Sequence, residues 1–501
     1  MRLKILLSFL IIISTKKGLA QHFIGISSSN YAGTHAVNLN PAHAADSHFK
    51  VYINLGTVGV ESVNNSMKWA APYSLFGLIT GTVPGKYDGP GGKPLWKPDY
   101  YRFNSSKLLD LRMNSELRGP SVQFSFPRKR FGLAVGVRYR MFSSLVDATP
   151  GLSATILTGT NNKMLKNLTY AGEKGAFNVG GYNELYGSLA IVLKENSRHF
   201  LKVGGTLKRL TSAVQLGVFG EDLNYSITDI PPANRYQDID VTKADGTFFH
   251  AAEPGSSPGL GWIVGQMASV QSVGNGFGID IGFVYERRPN YARQRYTYKG
   301  QKIPDPQINK HKYRIGVSLT DIGYVRFASP TDVQVGHQIN GTAFIPPATF
   351  YHIGSTQEFV ADMESVFTFD QSQYLRSFNV LMPASLNVQG EYLVREGFYL
   401  SGSWRQYLLG RNRVGPIGYS GISIIPRFEK KYLEFAFPVS LDFNYRLIAL
   451  GATMRAGPLW LGSDNLTGLL GIGNPRGASL HAGLFWGFDH IRPANKLLKC
   501  E

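Results

Sequence analysis

The sequence predicts an all-β protein: a transmembrane antiparallel β-barrel of about 14 strands, within a range of roughly 12 to 18, headed by a short plug-like N-terminal segment. Three observations lead there. The chain opens with an export-type leader. Period-two alternation of apolar residues recurs from about Phe49 to Phe488. No segment after the leader carries the roughly 18 consecutive apolar residues that a membrane helix needs.

The leader is residues 1–20. Arg2 and Lys4 make a basic start, Ile5 to Ser14 is an apolar core, and Gly18-Leu19-Ala20 offers a small-x-small cleavage site. That core is too short to span a bilayer as a helix. Its removal takes Arg2, Lys4, Lys16 and Lys17 and no acid, so the formal charge of +18 falls to +14. The single cysteine, Cys500, allows no intrachain disulfide, which excludes a small cystine-stapled secreted fold.

Composition narrows the class further. Of 501 residues, 17% are charged, 12% are aromatic and 56 are Gly. Soluble domains carry about 25% charge, and disordered chains carry few aromatics. Neither description fits, nor does the Ala/Glu/Lys/Leu-rich composition of a coiled coil.

Residues 21–48 lack clean alternation and precede the first strand, so they are assigned to the plug. Residues 49–489 are assigned to the barrel and 490–501 to a tail. Within the barrel, Phe277, Ile279, Ile281, Phe283 and Tyr285 alternate with Gly278, Asp280, Gly282, Val284 and Glu286. Similar alternation marks 131–141, 312–319, 386–392, 434–443 and 480–489. Further strand candidates lie near 49–59, 119–127, 184–194, 199–209, 212–226, 358–369, 397–408, 419–427 and 444–456. The polar faces are rich in Gly, Ala and Ser, which suits a crowded interior. Aromatics near strand ends (Tyr139, Tyr285, Tyr392, Trp404, Phe488) suit interfacial girdles. Three Pro/Gly-rich stretches read as external loops: Pro84–Pro98, Thr228–Gly265 and Arg288–Lys310.

Catalytic motifs are weak. Gly255-Ser256-Ser257-Pro258-Gly259 matches a nucleophile elbow, but Pro258 sits where the helix should begin. Gly274-x-Gly276-x-Gly278 and Gly471-x-Gly473 miss the dinucleotide fingerprint, and no HExxH, CxxC or P-loop occurs. His35, His43 and His48 cluster in the plug without zinc-like spacing. The expectation is a non-enzyme with no cofactor and no metal.

The strand phase points one charged set inward: Arg138, Arg140, Lys202, Lys208, Asp280, Glu286, Lys312, Arg314, Glu391 and Arg405, with Glu434 and Asp442 beside them. This set reads either as the lining of an anion-biased channel or pocket, or as ion pairs that fill a narrow barrel. One sequence does not place strands side by side, so both readings stand. Basic residues outside the lipid band would hold anionic lipid and lipopolysaccharide phosphates. The charge is scattered, without a recognised module, which argues against nucleic acid.

Several motifs carry a family resemblance. Asn30-Tyr31-Ala32-Gly33, Asn38-Leu39-Asn40-Pro41-Ala42, Arg118-Gly119-Pro120-Ser121, Phe200-Leu201-Lys202-Val203-Gly204 and Gly457-Pro458-Leu459-Trp460-Leu461-Gly462-Ser463-Asp464-Asn465-Leu466 resemble, in this order, a Bacteroidota outer-membrane barrel family with no assigned function. The Asn40-Pro41-Ala42 element is also similar to the N-terminal hatch of long-chain fatty-acid transporter barrels. That resemblance implies a plug anchored by a turn at Asn40 and Pro41. Pro41 holds Asn40 extended and removes a backbone donor. The functional expectation is a channel or binding barrel in the cell outer membrane for a small hydrophobic or anionic ligand. The alternative is a non-catalytic barrel that binds a protein partner within an outer-membrane secretion or assembly complex.

Overall fold

The structure is a computed structural model. It describes residues 23–490 except 90–93, 95–99, 104–106, 159–164, 166, 197, 230–236, 253–271, 290–293, 299–300, 306–307, 329–332, 340–341, 346–355, 370–374 and 474. The leader, the Gly255–Gly259 motif and Cys500 lie outside the described residues.

Fourteen antiparallel strands close into a barrel. They are β1 (Phe49–Asn64), β2 (Leu109–Phe126), β3 (Phe131–Ala148), β4 (Thr169–Glu195), β5 (His199–Asp229), β6 (Gly274–Arg287) and β7 (Tyr313–Ala328). There follow β8 (Ser377–Leu381 with Ser385–Arg395), β9 (Phe398–Tyr407), β10 (Gly421–Glu429) and β11 (Leu433–Ala436 with Val439–Asp442). The last three are β12 (Leu447–Leu450 with Ala452–Ala456), β13 (Leu459–Ser463) and β14 (Gly477–Asp489). Each pairs with its sequence neighbour. Pairing of β1 with β14, from Phe49 opposite Asp489 to Val63 opposite Gly477, seals the wall. Closure leaves no unpaired edge, the condition that hydrocarbon imposes on strands.

The wall is apolar outside and polar inside. In β6, Phe277 is 69% and Ile281 57% exposed, while Asp280 between them is 2% exposed. A soluble sandwich would bury the first two and expose the third. The same inversion runs through Leu185, Leu189, Leu207, Ile315, Ile424, Val439 and Leu461, all exposed. It is the pattern of a wall facing lipid. Ile281→Arg is therefore expected to destabilise the protein by about 2–4 kcal/mol, the cost of a cation at mid-bilayer depth. Urea titration of vesicle-inserted protein measures it, and a loss under about 0.5 kcal/mol would contradict a lipid-facing Ile281.

The two ends of the barrel differ. At the end holding Phe49 and Asp489, most connections are short, such as 396–397 and 430–432. At the other end they are long. There β4 (27 residues) and β5 (31 residues) far exceed the roughly 9–11 residues that cross a bilayer. Their upper halves stand beyond the wall, and a further strand, Gln237–Ala252, pairs with Val214–Asp229. Leu216, Tyr225, Ile227, Val241, Phe248 and Met363 form an apolar core within this extension.

Four expectations are corrected. Residues 358–369 are not a strand: Thr356–Val366 is a helix. Phe359, Val360, Met363 and Val366 repeat at helical spacing and pack on that extension core. The candidates 199–209 and 212–226 are one continuous strand, β5. Arg288–Lys310 lies at the short-turn end, opposite the other two loops. Tyr139 is buried rather than in an interfacial belt, whereas Tyr392, Trp404 and Phe488 are exposed.

Candidate functional site: the barrel interior and its N-terminal segment

Residues 23–48 form two one-turn helices, Ile24–Ser27 and Thr34–Val37, and a 3₁₀ turn, Pro41–Ala44. Sequence dictates the last. Asn40 is extended, and its Oδ1 accepts the Ala42 amide at 3.0 Å, capping a turn whose first residue is Pro41. The Asn40 Nδ2 donates to the carbonyls of Phe283 (3.1 Å) and Val317 (3.3 Å), residues paired across β6 and β7.

Inward-facing glycines make this approach possible. A Cβ on Gly282 would lie 2.2 Å from the Asn40 Oδ1, and one on Gly204 would lie 2.5 Å from the Pro41 carbonyl carbon. A Cβ on Gly132 would meet the Ala44 oxygen at 2.0 Å. The high glycine content thus has a use on the inner face, where backbone must come close to backbone.

The segment is held around the circumference. Ser318 Oγ donates to the Leu39 carbonyl (2.7 Å), Lys202 Nζ to Ala45 (3.0 Å) and Gln123 Nε2 to Ala44 (3.0 Å). Ser29 donates to Glu434 (2.7 Å), and the Asn30 amide to Glu429 (3.0 Å). Phe23 packs edge-on against Trp460 with centroids 5.6 Å apart. Contacts with β2, β5, β7, β10, β11 and β13 place the segment within the ring of strands.

Its histidines are buried and engaged by neighbouring side chains. Burial, reinforced by Arg118, holds His35 well below its ordinary pKa, and burial with Lys202 does the same for His43. Both stay neutral. His35 packs against Trp460, His43 meets Gln389 (3.3 Å), and His48 meets Asn309 (2.6 Å). Among the described residues no group of three or more His, Cys, Asp or Glu side chains is arranged to hold a metal.

Three charge networks line the wall. In the first, Arg138 pairs with Glu184 and Glu116, Arg140 with Asp321 (2.8 Å) and Glu184 (3.3 Å), Lys208 with Asp280 (2.7 Å) and Asp321 (2.6 Å), and Arg118 with Glu116 (2.5 Å). Four cations meet four anions. In the second, Lys202, Arg288 and Lys310 meet Glu286, Asp46 and Glu195. In the third, Arg314, Arg427 and Arg455 meet Glu391, Glu429 and Glu434. In the first and third networks these cations and carboxylates are equal in number, and in the second Arg130 also reaches Glu195 (3.8 Å).

The structure thus brings Arg138, Arg140, Lys208 and Asp280 together, Lys202 with Glu286, and Arg314 with Glu391. Arg405 donates from Nε to Asn387 (2.9 Å). Lys312 departs from the set. It precedes β7, and its Nζ lies 4.3 Å from the ring centroid of the outward-facing Tyr392. Strand parity no longer holds at that strand end.

Glu116, Arg118, Glu184, Asp321, Arg288, Arg427 and Arg455 are absent from the sequence-derived site. Asp321 shows why. The pairing of β7 with β6 shifts register between Leu319 and Ile322, and Asp321 takes a positive φ of 58°. This bulge adds one inward residue and flips the phase, so that Val325 and Phe327 become buried. The signal was the change of outward residue from Leu319 to Tyr324.

The segment leaves an open cleft on one side, with about 820 Å³ of space not filled by protein atoms, open solvent included. Its walls are Ser27, Ser28, Ser29 and Leu39 on the segment, and Gly316, Gln389, Ser401, Ser403, Gly421 and Ser423 on β7 to β10. A second cavity, with Asp46, His48, Asn309 and Lys310, shares Ser29, His43 and Arg314 with it. A third, with Arg138, Asp321 and Pro383, shares Ser27, Leu39, Arg405 and Tyr419. Together they follow the segment along the interior.

A family of unknown function, DUF5723, matches residues 41–464. The chain belongs to that family. Its match begins at Pro41, within the capped turn, and ends at Asp464, whose carboxylate accepts the Ile24 amide (3.2 Å). No curated protein matches the chain. Among solved structures, it is similar to a FadL homologue of Pseudomonas aeruginosa at 12% identity, covering 90% of this chain and 92% of that one, with a TM-score of 0.30. It is also similar to a deletion mutant of the TodX monoaromatic hydrocarbon channel, the wild-type transporter being that of P. putida, at 8% identity, 91% and 93% coverage and a TM-score of 0.37. The translocator domain of the autotransporter NalP from Neisseria meningitidis gives 8%, 87%, 88% and 0.28.

Proposed function

We propose that this chain is an integral outer-membrane β-barrel, exported by its leader, in which residues 23–48 act as a plug. A small solute is bound and passed through the cleft beside that plug. One observation carries the reading: a closed wall, apolar outside and polar inside, encloses a segment that fills the interior on one side only. The role is non-enzymatic. The expected result in planar bilayers is a mostly closed wild-type barrel with brief openings. Silence from folded protein, both wild type and a variant with its plug released, would remove the passage reading.

A second reading, a partner-docking barrel, is favoured by the extension built on β4, β5 and Gln237–Ala252. Its apolar core stands beyond the wall, where a pore has no need of it. Recovery of a stoichiometric partner from detergent-solubilised membranes would support docking, and repeated recovery as a lone monomer would count against it.

A further inference from the structure

The outer face of β5 to β8 changes character toward the short-turn end, and the register shows where. Val203, Phe283, Val317 and Val388 form one row across the four strands. The next row is Leu201, Tyr285, Ile315 and Gly390, and the last is His199, Arg287, Tyr313 and Tyr392. Apolar rows thus give way to tyrosine and then to charge, so the last row sits at headgroup depth. Lys194 on β4 is exposed opposite Leu201 and adds a further cation.

No carboxylate answers these cations. Among the described residues, none pairs with Lys194, Arg287 or Lys312. The nearby acids are turned away: Glu286 and Glu391 are buried, and Glu195 meets Arg288. Arg287 Nη1 lies 2.9 Å from His199 Nε2, and His199 Nδ1 lies 2.6 Å from the Tyr285 hydroxyl. A guanidinium only donates, so His199 accepts from Arg287 and donates to Tyr285. This ties one Arg287 donor, and among the described residues its others have no acceptor. Lys312 breaks the inward parity of its strand to reach the same face. Its Nζ donates to the Leu393 carbonyl (2.5 Å) and lies 4.3 Å from the Tyr392 ring centroid.

The geometry points to a binding site for an anionic glycerophospholipid on the outer wall at the short-turn end, its phosphate held by Arg287 and Lys312. The two cations flank Tyr313 and offer charge-assisted hydrogen bonds to phosphate oxygens. The apolar rows above receive the acyl chains. A zwitterionic headgroup would bring its own cation against Lys194, Arg287 and Lys312. The site takes the wall as membrane-embedded and is independent of solute passage.

The test is native mass spectrometry and calorimetry of the purified full-length barrel in detergent, titrated with dioleoylphosphatidylglycerol and with dioleoylphosphatidylcholine. Heat-modifiable gel mobility verifies that each variant is folded. The anionic lipid is expected to bind more tightly. Arg287→Gln and Lys312→Gln should each weaken it about fivefold, and together about thirtyfold, the worth of one and of two cations near a membrane surface. Lys50→Gln removes an exposed cation at the same end but across the barrel on β1. It should change binding by less than about twofold, because so distant a charge is screened. Equal weakening by Lys50→Gln would show diffuse attraction and overturn the site. Equal affinity for the two lipids, or a double variant that binds as tightly as wild type, would overturn it as well. Glycerol 3-phosphate at the lipid's concentration should not displace the lipid. If it does, the site takes free phosphate and the lipid assignment falls. If the site fails while Ile281→Arg still destabilises the barrel, the lipid-facing wall stands without it.

Discussion

Replacing Glu184 with Ala should destabilise the barrel by about 3–5 kcal/mol, far more than a surface ion pair is worth. Glu184 lies directly opposite Arg138 in the β3–β4 register. It also stands 3.3 Å from Arg140 and 3.9 Å from Lys208. All four groups are buried in the wall. Without Glu184, four cations (Arg118, Arg138, Arg140 and Lys208) share Glu116, Asp280 and Asp321, and Arg138 loses the oxygen that accepts from both its Nε and its Nη2. The cost arises from the stranded charge and not from the lost pair, which a second substitution can show. Glu184→Ala combined with Arg138→Met removes one charge of each sign and should recover most of the loss. Urea unfolding of vesicle-inserted protein measures both. A single-variant loss under about 1 kcal/mol, or no recovery in the double variant, would mean that the network is hydrated and weak.

That network also shows how far the sequence could be read. The barrel was legible because lipid and interior impose opposite polarities on alternate residues. Phase alone therefore put Arg138, Arg140, Lys208 and Asp280 on one face. Their partners were not, because pairing depends on which strands adjoin and in what register. Glu116 lies across the β2–β3 pairing from Arg140, and nothing in residues 109–126 announces that. Bulges hide residues too, as at Asp321. The N-terminal segment was marked by missing alternation and by the Asn40-Pro41 turn. Its docking glycines, Gly132, Gly204 and Gly282, looked like ordinary strand glycines until the backbone against them was visible. Helix Thr356–Val366 was misread because its apolar residues also satisfy a short alternating window, and only the longer 3.6-residue repeat separates the two.

Asp46→Ala should open the barrel. The Asp46 carboxylate closes the plug's far end against the loop that follows β6, 2.5 Å from the Arg288 guanidinium and 3.5 Å from Lys310 Nζ. Neighbouring contacts add to this latch: His48 to Asn309 at 2.6 Å, and His490 to the Ser47 carbonyl at 3.1 Å. Arg288 keeps Glu286 at 2.5 Å and the Phe200 ring at 3.4 Å when Asp46 is gone, so the wall survives while the plug is freed. Loss of a charge-assisted pair of this kind is worth about 1.5–3 kcal/mol, so the open fraction in planar bilayers should rise at least about tenfold. Limited proteolysis should cut within residues 23–48 faster in the variant. Acid should not imitate the substitution. Burial alone would raise the Asp46 pKa, but Lys310 and Arg288 outweigh it and hold the carboxyl far below its ordinary 3.8. A depressed folded-state value means that the latch contribution is complete above the ordinary value and is lost only as pH falls through the lower one. Wild-type opening at pH 5 should therefore match that at pH 8. A wild-type barrel that opens between those values, or an Asp46→Ala barrel that stays as closed as wild type, would place the latch elsewhere on the plug.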